Sequence, residues 1–318
     1  MSHRSEDANP EQTGGLIAGV AFVIAGAVLL SFKGIVAKLM YAQGGDPVTV
    51  AAVRSVLAVP GFWAWALFRV GPKRLFAVPP TTLLPVAGVG LLSYYAGAMI
   101  NFYALTMIDA ALERMLLFTY PLLVVTALAI IERRWPRLRV LVAMVVTYGG
   151  VVLAVGGLDA SLLRANALGA SLTLLSAAGV AAYYLVNANV SQRIGSQTFT
   201  VYAMTAAGIG MGLHLLVTRE LGDLAALPGE FWSLMMFMVL AVTVLPLFLM
   251  GVGIARVGAA RGSLISAIGP ASTVFAAYLL LGERLTLGQV VGSALIVAGI
   301  LLLESRAAVK HEGVPSAR

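Results

Sequence analysis

The feature that most limits this chain is a succession of apolar runs, each near the length that a helix needs to cross a lipid bilayer. A helix spans a hydrocarbon core of about 30 Å with about 20 mostly apolar residues. Runs of that kind fall at roughly 15–40, 47–69, 81–106, 109–131, 138–156, 166–190, 198–217, 231–254, 258–281 and 287–304. Ten membrane-spanning helices are therefore predicted, joined by loops too short to house a soluble catalytic domain. The composition agrees: 60% of the 318 residues are hydrophobic and 11% are charged. An ordinary soluble domain carries roughly 25% charged residues. The mean hydropathy is +0.94, and a soluble fold would have to expose apolar surface that soluble monomers seldom show. The expected class is an all-α polytopic membrane protein.

Several chemistries are excluded on composition. The chain has no cysteine, which removes disulfides, thiolate catalysis and cysteine-ligated metal. His3, His214 and His311 are scattered and offer no metal-ligand spacing. No metal and no cofactor are expected. The net charge of +7 reads as a membrane topology signal rather than as a nucleic-acid surface, because Lys and Arg concentrate in cytoplasmic loops. With the N-terminus inside, 14 cations flank the inner ends of the runs, among them Arg69, Lys73, Arg74, Arg133, Arg134, Arg137 and Arg139. Only Lys38, Arg164, Arg219 and Arg284 flank the outer ends. Both termini are expected in the cytoplasm. The first apolar run is too long for the core of a signal peptide and is expected to be retained.

Two stretches of the chain look alike. One begins at Ala104, "ALTMIDAALERMLLFTYPLLVVTALAIIERRW"; the other begins at Gly253, "GIARVGAARGSLISAIGPASTVFAAYLLLGERL". Asp109 to Pro121 and Gly258 to Pro270 have the same length, and each passes from a short turn through Ala-Ala and a polar patch to an intramembrane proline. The copies start in the fourth and ninth runs. Five runs apart is an odd number, so the copies must cross the membrane in opposite directions. Inverted repeats of this kind build many secondary transporters, with the substrate site near the midplane between the halves.

These stretches, together with "SFKGIVAKLMYAQGGDPVTVAAVRSVLAVP" in the first two runs, resemble the EamA family of the drug/metabolite transporter superfamily. The similarity covers most of residues 15–304. The resemblance implies ten helices as two inverted five-helix repeats, 15–156 and 166–304, around a central cavity, with polar tails at 1–14 and 305–318. It also implies transport of amino acids, related metabolites or toxic compounds, often outward, across the inner (plasma) membrane of a bacterial cell. The protein would work as a monomer or homodimer, with protons as a conceivable coupling ion.

Charge inside the apolar runs marks the candidate site. Glu113 stands beside Arg114 in the fourth run, and Arg54 and Lys33 fall at similar depth in the second and first. A lone charge at the bilayer centre costs about 2.5–3.5 kcal/mol on insertion scales, so such groups pair, face the protein interior or line water. One reading is a cluster of three cations and one carboxylate, whose unmatched charge suits the carboxylate of a substrate or a counter-ion. The other is structural: Arg54 and Glu113 staple two helices while Arg114 snorkels outward. In the second copy Arg261 serves either as an inner anion contact or as a positive-inside anchor, and Ser263 and Ser266 offer hydroxyls. Tyr95 and Asn101 in "YYAGAMINFY", and Tyr183 and Asn187 in "YYLVNANV", are cavity-lining candidates because buried amides and phenols need partners. Trp63, Trp65 and Tyr41 suit the aromatic belt at the interfaces. Pro121, Pro246 and Pro270 free backbone carbonyls and permit kinks. His214 or Glu113 would carry a titrating proton.

An intramembrane enzyme is disfavoured, since the runs lack His-Glu-x-x-His, paired aspartates and Gly-x-Ser-x-Gly. Offset charges within inverted repeats fit alternating access better than they fit a channel or a purely structural protein. The sequence also lacks a nucleotide-binding loop, which leaves a gradient or substrate exchange as the energy source. The expectation is a secondary transporter of small organic, amino-acid-like metabolites acting as an exporter; import or exchange of organic anions is the alternative.

Overall fold

The computed structural model describes residues 10–133, 138–155, 159–219, 221–257, 262, 265–266 and 268–311. Eight helices among them are long and apolar enough to cross a bilayer: α1 (Gly15–Ala42), α2 (Pro47–Val70), α3 (Pro80–Ala104), α4 (Ala110–Ile131), α5 (Leu138–Val155), α6 (Ala160–Ile194), α7 (Ser196–Thr218) and α8 (Gly229–Val257). Two shorter apolar helices follow, α9 (Ile268–Leu281) and α10 (Leu287–Leu302).

α2, α6 and α10 begin where the sequence supplies acceptors for their free N–H groups. Asp46 accepts from Val48 N at 2.9 Å and Thr49 N at 3.3 Å, and Pro47 fills the first position, where its missing N–H costs nothing. Asp159 caps α6 in the same way through Ser161 N and Leu162 N. α10 opens on a reciprocal box, with Thr286 N donating to Gln289 Oε1 and Gln289 N donating to Thr286 Oγ1. α6 is much longer than its apolar run: its 35 residues rise about 52 Å, well beyond the hydrocarbon core, and it stops at Gly195, whose φ of 82° suits a residue without a Cβ.

The helices are interrupted where proline or polar residues fall inside them. α1 breaks at Phe32 and restarts at Lys33. α4 breaks at Phe118–Thr119, just before Pro121. α3 and α8 each contain a π-helical stretch, Leu91–Gly97 and Leu240–Val244. Such widened turns appear mostly at functional sites.

Packing runs in long pairs: α10 lies along α5, α8 along α1, α7 along α2, and α6 along α3. Small residues set the closest approach. A Cβ on Gly292 would lie 2.5 Å from Gly150 O and from Ala154 N, so α5 and α10 touch backbone to backbone. That is how helices associate in lipid, where hydrophobic driving force between them is absent.

Candidate charged centre

The break at Phe32 leaves Lys33 on the first turn of the restarted helix, facing α3 and α4. Lys33 Nζ donates to Glu113 Oε1 at 3.0 Å and to Asn101 Oδ1 at 2.6 Å. Asn101 Nδ2 donates to the same Glu113 oxygen at 2.7 Å. Three helices thus close a triangle of lysine, amide and carboxylate in which Glu113 is 1% exposed. The helices can come this close because position 34 carries no side chain: a Cβ there would meet Ala110 Cβ at 3.2 Å and Glu113 Oε2 at 3.4 Å. Glu113 Oε2 is buried and has no hydrogen-bond partner.

The expected staple between Arg54 and Glu113 is not the pairing found, because Lys33 and Asn101 occupy the carboxylate. Arg54 is buried at 8% exposure and lies over the Phe102 ring, 5.2 Å from its centroid. Lys33 approaches that ring as well, at 5.8 Å. The Nε of Arg54 has no partner, and its hydrogen bond to Ser55 Oγ, the one it makes among the described residues, is long at 3.4 Å. Arg114 does not snorkel outward. Its Nε is buried without a partner, and its Nη2 comes within 3.3 Å of where a Cβ on Gly269 of α9 would stand. Close by, Ser31 Oγ donates to Gly269 O at 2.8 Å and Thr273 Oγ1 donates to Ser31 O at 3.2 Å, which locks the break in α1 against α9.

The remaining candidates are distributed differently. The hydroxyl of Tyr95 shares a 2.8 Å hydrogen bond with His214 Nδ1, which gives the histidine a specific partner between α3 and α7. Tyr183 shares a hydrogen bond with Thr200 at 2.8 Å and meets Tyr94 edge-on at 4.9 Å. Asn187 donates to Ser196 at 3.3 Å, near the turn between α6 and α7. Arg261 and Ser263 lie outside the described residues. The aromatic residues assigned to the belt also have fixed partners: Tyr41 donates to Phe102 O, Trp63 donates to Thr205, and Trp65 stacks on Phe248 at 4.0 Å.

A second set of charges gathers where helix ends and loops meet, near the start of α4. Glu283, in the loop between α9 and α10, accepts from Ala110 N at 2.9 Å and Ala111 N at 3.2 Å. It also pairs with Lys38 at 3.0 Å. Asp109 makes no side-chain cap of its own, so the two free N–H groups at the start of α4 are taken by an acid 173 and 172 residues away. Lys38 also lies 3.7 Å from Asp109; burial and the charge of Glu283 raise the Asp109 carboxyl above its ordinary range, against the pull of Lys38. Nearby, Arg219 grips Asp46 through Nη2 at 2.8 Å and Nε at 3.2 Å. Burial pushes Asp46 up, but the hydrogen bonds from Arg219 and Thr49 and the charge of Arg219 outweigh it and hold the carboxyl at about 2. The same hydrogen bond raises Arg219. A pocket of about 270 Å³ opens beside this pair, lined by Gly44, Thr49, Asp223 and Leu227 among others. It belongs to the helix ends and loops around Asp46 and Arg219 and not to the buried centre. The partners of Glu283 are too distant along the chain to be read in the sequence.

Comparison with known proteins agrees with this architecture. A model of the EamA-like transporter family matches residues 17–156 and again 167–305. A Bacillus subtilis (strain 168) protein described as the uncharacterized transporter YcbK is 34% identical over 279 residues, covering 86% of this chain and 89% of that one. A solved structure, titled only as the crystal structure of a protein, superimposes with a TM-score of 0.61 at 17% identity, covering 93% of this chain and 99% of the other. That likeness concerns the fold alone.

Proposed function

The chain belongs to the EamA-like transporter family, and from that premise we propose that it is a secondary transporter of small organic metabolites, exporting them across the bacterial inner membrane by alternating access. α9 and α10 complete ten spans in this proposal. The spans form two inverted halves, 15–156 and 166–304, with cytoplasmic tails at 1–14 and 305–318.

Two observations support the inversion. An exchange of each span with the one five places on carries the α5–α10 and α2–α7 pairs onto themselves and the α1–α8 pair onto α6–α3, which are the long packing pairs of the bundle. The π-helical stretches fall in the two spans so exchanged, and Leu240 follows Leu91 by 149 positions, the offset that separates Pro270 from Pro121.

The observation that carries the proposal is the buried centre of Lys33, Arg54, Asn101, Glu113 and Arg114. Helices otherwise soluble in lipid hold one carboxylate among three cations there. Charged groups placed this deep mark substrate or ion pathways. The ties above it, Lys38–Glu283 and Asp46–Arg219, join segments of the two proposed halves. They therefore suit an outer gate that is closed in this conformer and parts when the halves rock. Energy would come from substrate exchange or from a gradient, with protons as the proposed coupling ion.

The test is counterflow in proteoliposomes. Saturable uptake that exchanges with internal solute supports a carrier, whereas linear flux without exchange indicates a channel. Glu113→Gln should abolish counterflow at normal expression, and a variant that transports like the parent removes Glu113 from the mechanism.

A further inference from the structure

The deep charges of the centre do not balance. Lys33 and Glu113 neutralise each other, which leaves Arg54 and Arg114. Neither guanidinium makes an ion pair among the described residues, and the Nε of each is buried without a hydrogen-bond partner. Arg54 shares the Phe102 ring with Lys33, and Arg114 Nη2 reaches the same point beside Gly269 as Ser31, two positions before Lys33. Apart from Glu113, the one acid inside the described spans is Glu230, exposed at the end of α8; Glu283 and Asp109, at the start of α4, are engaged by Lys38. A buried charge without a partner is strongly destabilising, and removing one member of a buried pair has that effect in proteins generally. Two such groups in one place therefore require a counter-charge from outside the chain.

We infer that the centre is built to take an organic acid in its anionic form, its carboxylate held by Arg54 and Arg114, and not a neutral or zwitterionic solute. This rests on the transport reading above and narrows it. A zwitterion brings no net charge and leaves the excess where it was. The planar fork of a guanidinium matches a carboxylate in two parallel hydrogen bonds, which a spherical inorganic anion cannot use.

The surroundings suit an organic body. Phe102 lies under Arg54, and Tyr94 packs against the apolar cluster that contains Phe102. From Tyr94 a chain of ring contacts runs through Tyr183 at 4.9 Å and Tyr184 at 5.8 Å to Tyr120 at 5.1 Å. Tyr120 stands on α4, the span that carries Arg114. An aromatic wall thus connects the two guanidiniums. The charge of the solute also bears on direction, because a membrane potential negative inside drives an anion outward without a coupling ion.

The test uses the full chain and matched probes: benzoate against benzamide, succinate against succinamide, and leucine as the zwitterion, in a chloride-free sulfonate buffer. In detergent, the acids should raise the thermal unfolding midpoint, while the amides and leucine at equal concentration should not. Arg54→Gln and Arg114→Gln should each weaken acid binding by about 30-fold or more, the loss expected when one partner of a buried charged hydrogen bond is removed. Glu113→Gln should tighten it, because the centre gains one unit of positive charge; a role for Glu113 in holding a substrate amine predicts the reverse. In proteoliposomes, efflux of the acid should quicken under an inside-negative potassium diffusion potential.

Amides or leucine binding as well as the acids, or efflux indifferent to potential, would overturn the inference. So would chloride displacing benzoate, which would make the site one for an inorganic counter-ion only. Counterflow of amides alone sinks the inference and leaves the transport reading intact; no counterflow of any solute sinks both.

Discussion

Asp46 and Arg219 meet at 2.8 Å with each side chain about a third exposed, at 36% and 35%. Lys33 and Glu113 meet at 3.0 Å with the carboxylate at 1%. The distances are alike and the consequences differ. Water can replace either partner of the partly exposed pair, so the pair is worth about 0.2–1 kcal/mol and can part at little cost. The inner pair has no such substitute. Its desolvated charges must keep a partner at all times, which is why Asn101 binds both members and why the excess cations beside it call for a ligand. The outer set suits a gate, and the inner set suits a site.

The largest effect should come from breaking the inner pair. Glu113→Ala leaves Lys33 buried and unpaired and should destabilise the protein by about 3–5 kcal/mol, read as the thermal or denaturant unfolding midpoint in detergent. Lys33→Ala combined with Glu113→Ala should cost much less than the two single changes added together. Additive losses would mean that the pair is not coupled.

Asp46→Ala comes next. It removes the cap of α2 as well as the outer pair, and lost caps cost about 1 kcal/mol. The pH dependence has a definite sign. Asp46 sits below its ordinary value of 3.8, at about 2, so its contribution is complete above 3.8 and is lost as the pH falls toward 2. A stability profile of the Asp46→Ala variant that parallels the parent between those values would show that the carboxylate contributes nothing.

Glu283→Gln keeps an acceptor for Ala110 and Ala111 but loses the attraction of Lys38. Because the chain has no cysteine, a single Ile35→Cys reporter on α1 can be labelled without background. Outside labelling should quicken by up to about fivefold when the gate is weakened in this way; an unchanged rate would mean that the Lys38–Glu283 contact does not hold the gate shut. The smallest effect is expected for Arg219→Ala, at most about 1 kcal/mol and fading in high salt. If it equals Asp46→Ala in size, the cap carries no weight.

Residues 104–131 show how far the sequence reached. That Ala110 to Ile131 forms a helix, that Pro121 permits a kink in it, and that Glu113 must pair or face protein follow from composition and from the cost of charge in hydrocarbon; whether Arg114 snorkels outward or turns inward did not. The partner of Glu113 did not follow. Lys33 and Arg54 stand at similar depth, and choosing between them requires the rotation of each helix about its axis. The break at Phe32 and the placement of Asn101 decide that rotation, and neither is visible in a hydropathy pattern. The π-helical stretches of α3 and α8 were equally hidden, since a widened turn depends on how a helix packs against its neighbours.

By itself the sequence determined that this chain is a bundle of membrane helices with a repeated plan. A backbone in lipid must satisfy its hydrogen bonds within each segment, so length and apolarity suffice to specify one. Only the tertiary structure decided which charges meet. Lys33 found Glu113 across 80 positions, and Glu283 found the start of α4 across 173. Contacts of that range are fixed by the packing of helices around one another, a relation between segments that no single stretch of sequence contains.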